Sequence, residues 1–437
     1  MFKTKTAKTK PLFSKTVIIE TPLYVAIDVA KYYHKAMIFD FDRNVIEPPF
    51  TFDISREGFN QLMEKIEINS KRTGTNSIVV GMEATGHYHE TLLEHLKARG
   101  LKVMLFNPYA TFKTRALDID YVKTDEIDLK AIGQAMLLGK GREARDEEAV
   151  YKDLRLLTRF RRAKNNARRM LKNQMLRDLD RLWPGLMKDA HNPKGLFTNL
   201  WHSKVARELL KLDVLPQQIA DIAPKELLSI FKERKAKAVG PMWAEKIVKH
   251  ASVSLHCKGT EAEMHRHVLR TNLRLLEDLD KLIEDLDKQI SLLLYKTPGI
   301  YLLSIQGVSF VRIGEFIAEI GNPYKYREPG EWVKLAGLNA SRYQSGKVDR
   351  QNNPITKVGN SYLRGTLFSI ARDIARWEPL FIGLKEKFCG RGKHIQVAYG
   401  AVANKFLRVA FSLMLRKQNF DPSYEKEKKE KSSQNNN

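Results

Sequence analysis

Tyr24-Val-Ala-Ile-Asp-Val-Ala30 is an apolar run with a single acid inside it. A short run of this kind reads as a buried strand. An acid within such a strand costs free energy unless a cation or a hydrogen-bond donor satisfies it, so Asp28 is the residue to explain. Outward from it, Lys35–Phe41 (KAMIFDF) reads as a second strand and Phe50–Ile54 as a candidate third. Ser55 is placed to cap a helix running through Ile66. Ser77–Glu83 (SIVVGME) is another apolar strand, and it too ends on an acid. Gly86–Arg99 reads as a helix, Leu101–Phe106 (LKVMLF) as a strand and Asp125–Leu138 as a helix. Strands alternating with helices predict an α/β domain.

Two more acids enter with that last helix. Asp125 and Asp128 are three apart in TDEIDLKAI, which puts both carboxylates on one helical face, with Glu126 and Lys130 elsewhere. Asp28, Glu83, Asp125 and Asp128 thus come from two strands and one helix and can converge. Carboxylates packed together repel unless hard cations bridge them, and oxygen-only ligation suits Mg2+. A pair of such ions stabilises attacking and leaving oxygens in phosphodiester chemistry. Each acid alone has a plainer explanation. Asp28 can be a satisfied strand-end acid, Asp125 an N-cap and Asp128 a surface charge. The order strand-Asp, strand-Glu, helix-DxxD within one domain is harder to explain that way.

The 437 residues suit two or three domains. Seventy-five Lys and Arg against 51 Asp and Glu give a net charge of +24, which favours a polyanionic partner. No apolar run approaches the roughly 20 residues of a membrane span, so nucleic acid is the better candidate and no membrane partner is expected. The N-terminus is basic but lacks an apolar core, unlike a secretory signal. Cys257 and Cys389 are the only cysteines; they provide no disulfide framework and suit a reducing cytoplasm. The cluster His250, His256, Cys257, His265 and His267 lacks the tight ligand pairing of a zinc site. His87 and His89 read as helix-start residues, with a role beside the acids as the alternative. There is no Walker A loop and no dinucleotide fingerprint.

Beyond about residue 150 the texture becomes helical. Arg155–Arg181 holds ten Lys and Arg against two Asp. Leu269–Leu293 carries heptads with Leu269, Leu276, Ile283 and Ile290 at a, and Asn272, Leu279, Leu286 and Leu293 at d. This predicts a coiled-coil helix whose stripe needs a partner, either the Arg155–Arg181 helix or a second chain. After Thr297-Pro298-Gly299 the chain reads as a mostly α-helical domain. Gly307 and Gly314 suit either a helix-hairpin-helix or a plain helical hairpin. The five tryptophans read as packing residues. Residues 425–437 are low in complexity and read as disordered.

The stretch LAGLNASRYQSGKVDRQNNPITKVGNSYLRGTLF sets serines among Arg342, Lys347, Arg350, Lys357 and Arg364. A serine among cations can attack a phosphodiester, because the cations stabilise the developing charge. The residues themselves leave Ser341, Ser345 and Ser361 open.

YVAIDVAK, GMEATGHYHETLLEHL, NPYATFKTRAL and YVKTDEIDLKAI resemble the RuvC-like domain of the DEDD insertion-sequence transposases. That group includes the bridge-RNA-guided recombinases and the related Piv-type DNA invertases. The resemblance spans roughly residues 22–140 and 298–375. It implies an RNase H-like first domain in which Asp28, Glu83, Asp125 and Asp128 bind catalytic Mg2+. It also implies a C-terminal domain whose serine before glycine is the nucleophile, which selects Ser345; Ala340 stands where the family usually has proline. The expected layout is a basic leader at 1–20, a RuvC-like DEDD domain at 21–148 and a helical, coiled-coil domain at 149–296. A C-terminal transposase domain at 297–418 and a disordered tail at 419–437 follow. The implied activity is cutting and rejoining of DNA through Mg2+-assisted attack by Ser345. The composite active site would be shared within a homodimer or homotetramer. Donor and target DNA and a structured guide RNA are the implied partners. Arg161, Arg162, Arg168, Arg169, Lys172, Lys347, Lys357 and Arg364 are the expected nucleic-acid contacts. The rival readings are a RuvC-like nuclease that hydrolyses branched DNA and a scaffold without catalysis; four clustered acids speak against the scaffold.

Overall fold

The acid-bearing run forms β1 (Leu23–Val29), a central strand of a six-stranded sheet. The structure, a computed structural model, describes residues 21–84, 86–115, 125–144, 147–340, 344–345, 348–349 and 354–423. The basic leader and most of the expected disordered tail lie outside the described residues. On one side β1 pairs antiparallel with β2 (Tyr33–Phe39), and β2 pairs antiparallel with β3 (Val45–Asp53). On its other side β1 runs parallel to β4 (Ile78–Glu83), and β4 parallel to β5 (Lys102–Phe106). A two-residue β6 (Arg142–Glu143) adds antiparallel to β5. The order β3-β2-β1-β4-β5-β6, with an antiparallel β2, is the RNase H-like arrangement. β3 begins earlier than its hydrophobic pattern indicates because Pro48 and Pro49 interrupt it. Proline removes ladder donors and is tolerated on an edge strand, which β3 is.

Helices cover both faces of this sheet. Leu23, Val25, Ile27, Val80 and Met82 pack with Leu62 and Ile66 of α1 (Arg56–Thr73) and Leu92 and Leu96 of α2 (Tyr88–Ala98). Ser55 caps α1 as its sequence predicts, accepting from the Gly58 amide. A short α3 (Pro108–Arg115) follows β5, then α4 (Asp125–Leu137). Leu129, Ile132, Ala135 and Met136 of α4 pack on the other face, against Ala26, Met37 and Phe39. Alternation along β1 puts Asp28 on that α4 face with Ala26. Helix and sheet approach closely there: a Cβ on Gly81 would lie 2.3 Å from the Met136 sulfur.

The chain divides into two units, Met1–Asp146 and Glu147–Asn437, and the second is mostly helical. It opens with α5 (Ala149–Leu182), followed by α6 (Lys204–Lys211), α7 (Pro216–Ala220), α8 (Pro224–Glu233), α9 (Pro241–Val253) and α10 (Gly259–Leu294). The helices α5 and α10 run antiparallel as a long hairpin, in which Arg161 pairs with Asp287, Arg168 with Asp280 and His265 with Asp178. The heptad residues Leu269, Leu276, Ile283 and Ile290 are buried, so the stripe finds cover within its own chain. One core joins the distal part of the hairpin to α6–α9. The other joins its proximal part, through Leu154, Ile290 and Leu294, to α11 (Phe310–Ile320), α12 (Pro329–Ala336), α13 (Ser361–Trp377), α14 (Pro379–Cys389) and α15 (Ile395–Arg416). Gly307 falls in the turn before α11, with a positive φ, and Gly314 lies inside α11. Trp377 is 61% exposed, contrary to the packing role expected of it. No described helix is long and apolar enough to cross a membrane.

Since Ile283 is only 4% exposed against the paired helix, Ile283→Asp should bury a charge without a partner. A loss of about 3 kcal/mol or more in the unfolding free energy is expected. Urea unfolding measures it, and a loss under about 1 kcal/mol would remove Ile283 from the core.

Candidate active site

The β1–β4 register pairs Ile27 with Met82. One step further, Asp28 stands beside Glu83 at the carboxyl ends of two parallel strands. On its other side Asp28 is paired with Lys35 of β2. The first turn of α4 supplies Asp125, Glu126 and Asp128. Close packing of that helix on Gly81 brings its acids toward the same end of the sheet. The local sequence dictates this: short apolar runs set the strands, and DxxD sets two carboxylates on one turn of helix.

Electrostatics show the convergence. Burial first, and then the charges of Asp128, Glu83 and Asp125, push the Asp28 carboxyl up to about 6, while Lys35 pulls it down. Two further residues, not signalled by the sequence pattern, hold the set. The Thr111 hydroxyl of α3 donates to Glu83, and the Lys35 ammonium donates to Asp125. Thr111 is buried, so its hydroxyl needs a partner. With Asp125 drawn to Lys35, no three acids among the described residues enclose an ion as they stand. The donor chemistry nonetheless fits a hard divalent cation. The ligands are all carboxylate oxygens, and their mutual repulsion on Asp28 is what such a cation relieves.

That repulsion has a sign in pH. The Asp28 pKa is raised on folding, so between about pH 4 and about 6 the folded chain holds a proton that the unfolded chain has lost. Without added metal, this group therefore removes stability as pH rises through that window. The effect is on the order of 1–2 kcal/mol once solvent screening is allowed for. Asp28→Asn should accordingly be more stable than the parent at neutral pH in a chelating buffer, and no more stable below about pH 4. Urea unfolding at the two pH values checks this; equal stability at neutral pH would mean that neither burial nor the neighbouring acids raise Asp28.

The other predicted residues lie in the second unit. Ser345 belongs to a two-stranded ribbon, β7 (Gln344–Ser345) and β8 (Val348–Asp349), and its backbone pairs with Val348. The Ser345 side chain lies outside the described residues, as do Ser341, Gly346 and Lys347. Ser361 is exposed at the first position of α13. Along α5, Arg161 is mostly buried and paired with Asp287 and Glu315. Arg162 donates to Thr366, and Arg168 pairs with Asp280. Lys172 lies over the Trp201 ring, and Arg169 is exposed. Lys357 is exposed, while Arg364 donates to the Ala336 and Lys357 carbonyls. Within the histidine cluster, His250 accepts from Trp183 Nε1 and His265 pairs with Asp178. His87 precedes α2 without a side-chain capping bond and lies against Tyr88.

Fold and site define an RNase H-like protein with an acidic cluster at its strand ends, joined to a helical unit with a serine-bearing ribbon. The family profile of the DEDD transposases of IS110 type matches residues 25–184, and that of the Transposase IS116/IS110/IS902 family matches residues 300–385. The chain belongs to the IS110 family of transposases. No curated protein matches it. Among solved structures it is similar to RuvC of Thermus thermophilus, at 10% identity over 28% of this chain and 99% of that one, with a TM-score of 0.21. A second match is T. thermophilus RuvC in complex with a Holliday junction substrate, at 9% identity over 28% of this chain and 99% of that one, with a TM-score of 0.20.

Proposed function

We propose that this transposase cuts and rejoins DNA by serine attack, assisted by Mg2+ and guided by a structured RNA. The observation that carries the reading is the gathering of Asp28, Glu83, Asp125 and Asp128 at one end of the sheet, where burial and then the charges of the other three raise Asp28. These four residues would hold the ions. When bound, Mg2+ supplies positive charge to the phosphodiester as negative charge develops on it. Thr111 holds Glu83 in place, and Asp125 would leave Lys35 to join the ions. Ser345 Oγ forms the new bond to phosphorus, the bond to a sugar oxygen breaks, and that oxygen leaves with the proton. The hydroxyl of a second strand end then displaces Ser345 by the reverse step. Each exchange keeps one phosphodiester-type bond, so no nucleotide is needed to drive it.

The excess of basic residues supports polyanionic partners, namely donor and target DNA and the guide RNA. Arg161, Arg162, Arg168, Arg169, Lys172, Lys347, Lys357 and Arg364 remain the proposed contacts. Exposed Arg169 and Lys357 are best placed for phosphates, since several of the others have partners within the chain. Purification under mild salt followed by sequencing of bound nucleic acid tests the guide. A discrete RNA species is expected, and its absence, with DNA cleavage intact, would favour a hydrolytic nuclease.

A further inference from the structure

Glu319 is a carboxylate in an apolar helix, only 7% exposed among Phe316, Ile317, Ala318 and Ile320 of α11. Such an acid needs partners, and it has them on two separate parts of the second unit. Arg159 of α5 donates through Nε and Nη2, both at 2.9 Å. Asn360 Nδ2 donates at 2.6 Å. Burial alone would raise the Glu319 pKa, but Arg159 and Asn360 outweigh it and hold the group below the usual range.

Asn360 is where the serine-bearing segment ends. Its Oδ1 accepts from the Leu363 amide at 3.0 Å and so caps α13; its own amide donates to the Leu335 carbonyl at 2.7 Å. The two ends of the segment are tied together there. Thr356 N donates to Asn339 O at 2.8 Å, Lys357 N to Gly337 O at 3.1 Å, and Ala340 bridges to Ile355. Backbones meet so closely that a Cβ on Gly359 would lie 2.4 Å from the Leu335 oxygen. The ribbon carrying Ser345 thus springs from a root whose last residue is held by a buried acid, and that acid is held by the basic helix α5.

We propose that Arg159, Glu319 and Asn360 form a clamp that sets the position of the Ser345 ribbon, making Glu319 a positioning residue for the serine step. This rests on reading Ser345 as the nucleophile. A buried ion pair adds little net stability compared with apolar residues of similar volume. What the clamp adds is registry between α5 and the start of α13. It also gives α5 a role distinct from phosphate contact, because Arg159 places its charge on Glu319 while its guanidinium lies over the Tyr362 ring.

The test separates clamp from cap. Asn360→Ser keeps a good N-cap but is too short to reach Glu319, whereas Glu319→Gln keeps the shape and removes the charge. Full-length chains are followed by hydrogen exchange at the Thr356 and Lys357 amides. They are also followed by formation of covalent protein–DNA product on a duplex carrying the end of the insertion element, with copurified RNA. Both variants should exchange about tenfold faster at those amides. At saturating duplex both should form adduct about 10- to 100-fold more slowly, as expected for a misplaced reacting group, with duplex affinity within about twofold of the parent. Exchange and adduct rates within about twofold of the parent in Asn360→Ser, which does not depend on the buried acid for folding, would overturn the clamp. If the parent's adduct persists in Ser345→Ala, the nucleophile reading fails, and the exchange data still judge the clamp.

Discussion

Asp28→Ala, Glu83→Ala and Asp128→Ala are each expected to lower strand cleavage by on the order of a thousandfold or more, the scale of losing charge stabilisation in a transition state. Folding should survive. The three side chains lie on the α4 face where the strands end, and the core beneath them, Ala26, Met37, Phe39 and Leu129, is untouched. Removing one acid also relieves pressure on the others, since Asp28 is raised in part by Asp128 and Glu83. Thermal stability in a chelating buffer should therefore rise or stay level. Mg2+ should stabilise the parent by mass action and the variants far less. Asp125→Ala differs in one respect: it also frees Lys35, so its stability gain should be smaller. A pronounced loss of stability in the chelating buffer, across the three variants, would mean that the acids are structural and that the metal reading is wrong.

Ser345→Ala should abolish the covalent protein–DNA product and with it recombination, a loss of about a thousandfold or more if the hydroxyl is the attacking atom. The variant should still bind nucleic acid with the parent's salt dependence, because an uncharged hydroxyl contributes no counterion release. Asp28→Ala should lose adduct as well, since the same step needs both groups. If acids and serine act from different protomers, an Asp28→Ala chain mixed with a Ser345→Ala chain regains part of the activity. Cleavage that continues in Ser345→Ala without covalent product would identify water as the nucleophile and make the protein a hydrolytic nuclease. Mixed variants that stay inactive would confine the chemistry to one chain.

Most of the N-terminal sheet could be read from the chain because its signals are local. YVAIDVA and SIVVGME are apolar runs of strand length, Ser55 caps its helix, and DxxD places two acids on one turn. The four acids stood out because a carboxylate in an apolar strand has no local reason to be there. Heptad spacing likewise marked the buried face of α10, since a stripe of leucine and isoleucine must leave water. Contacts between distant residues were another matter. Lys35 on Asp125 spans 90 positions and Thr111 on Glu83 spans 28, and neither pairing leaves a periodic trace. The heptads alone left the covering partner open between two candidates; packing of α5 within the same chain resolved it. The sequence places Arg161 and Arg162 among the phosphate contacts, gives Arg159 no role, and does not show that Glu315 and Glu319 reach them. More than 150 residues later in the chain, α11 brings those buried carboxylates to them, and a charge goes to whichever partner the fold delivers at hydrogen-bond distance.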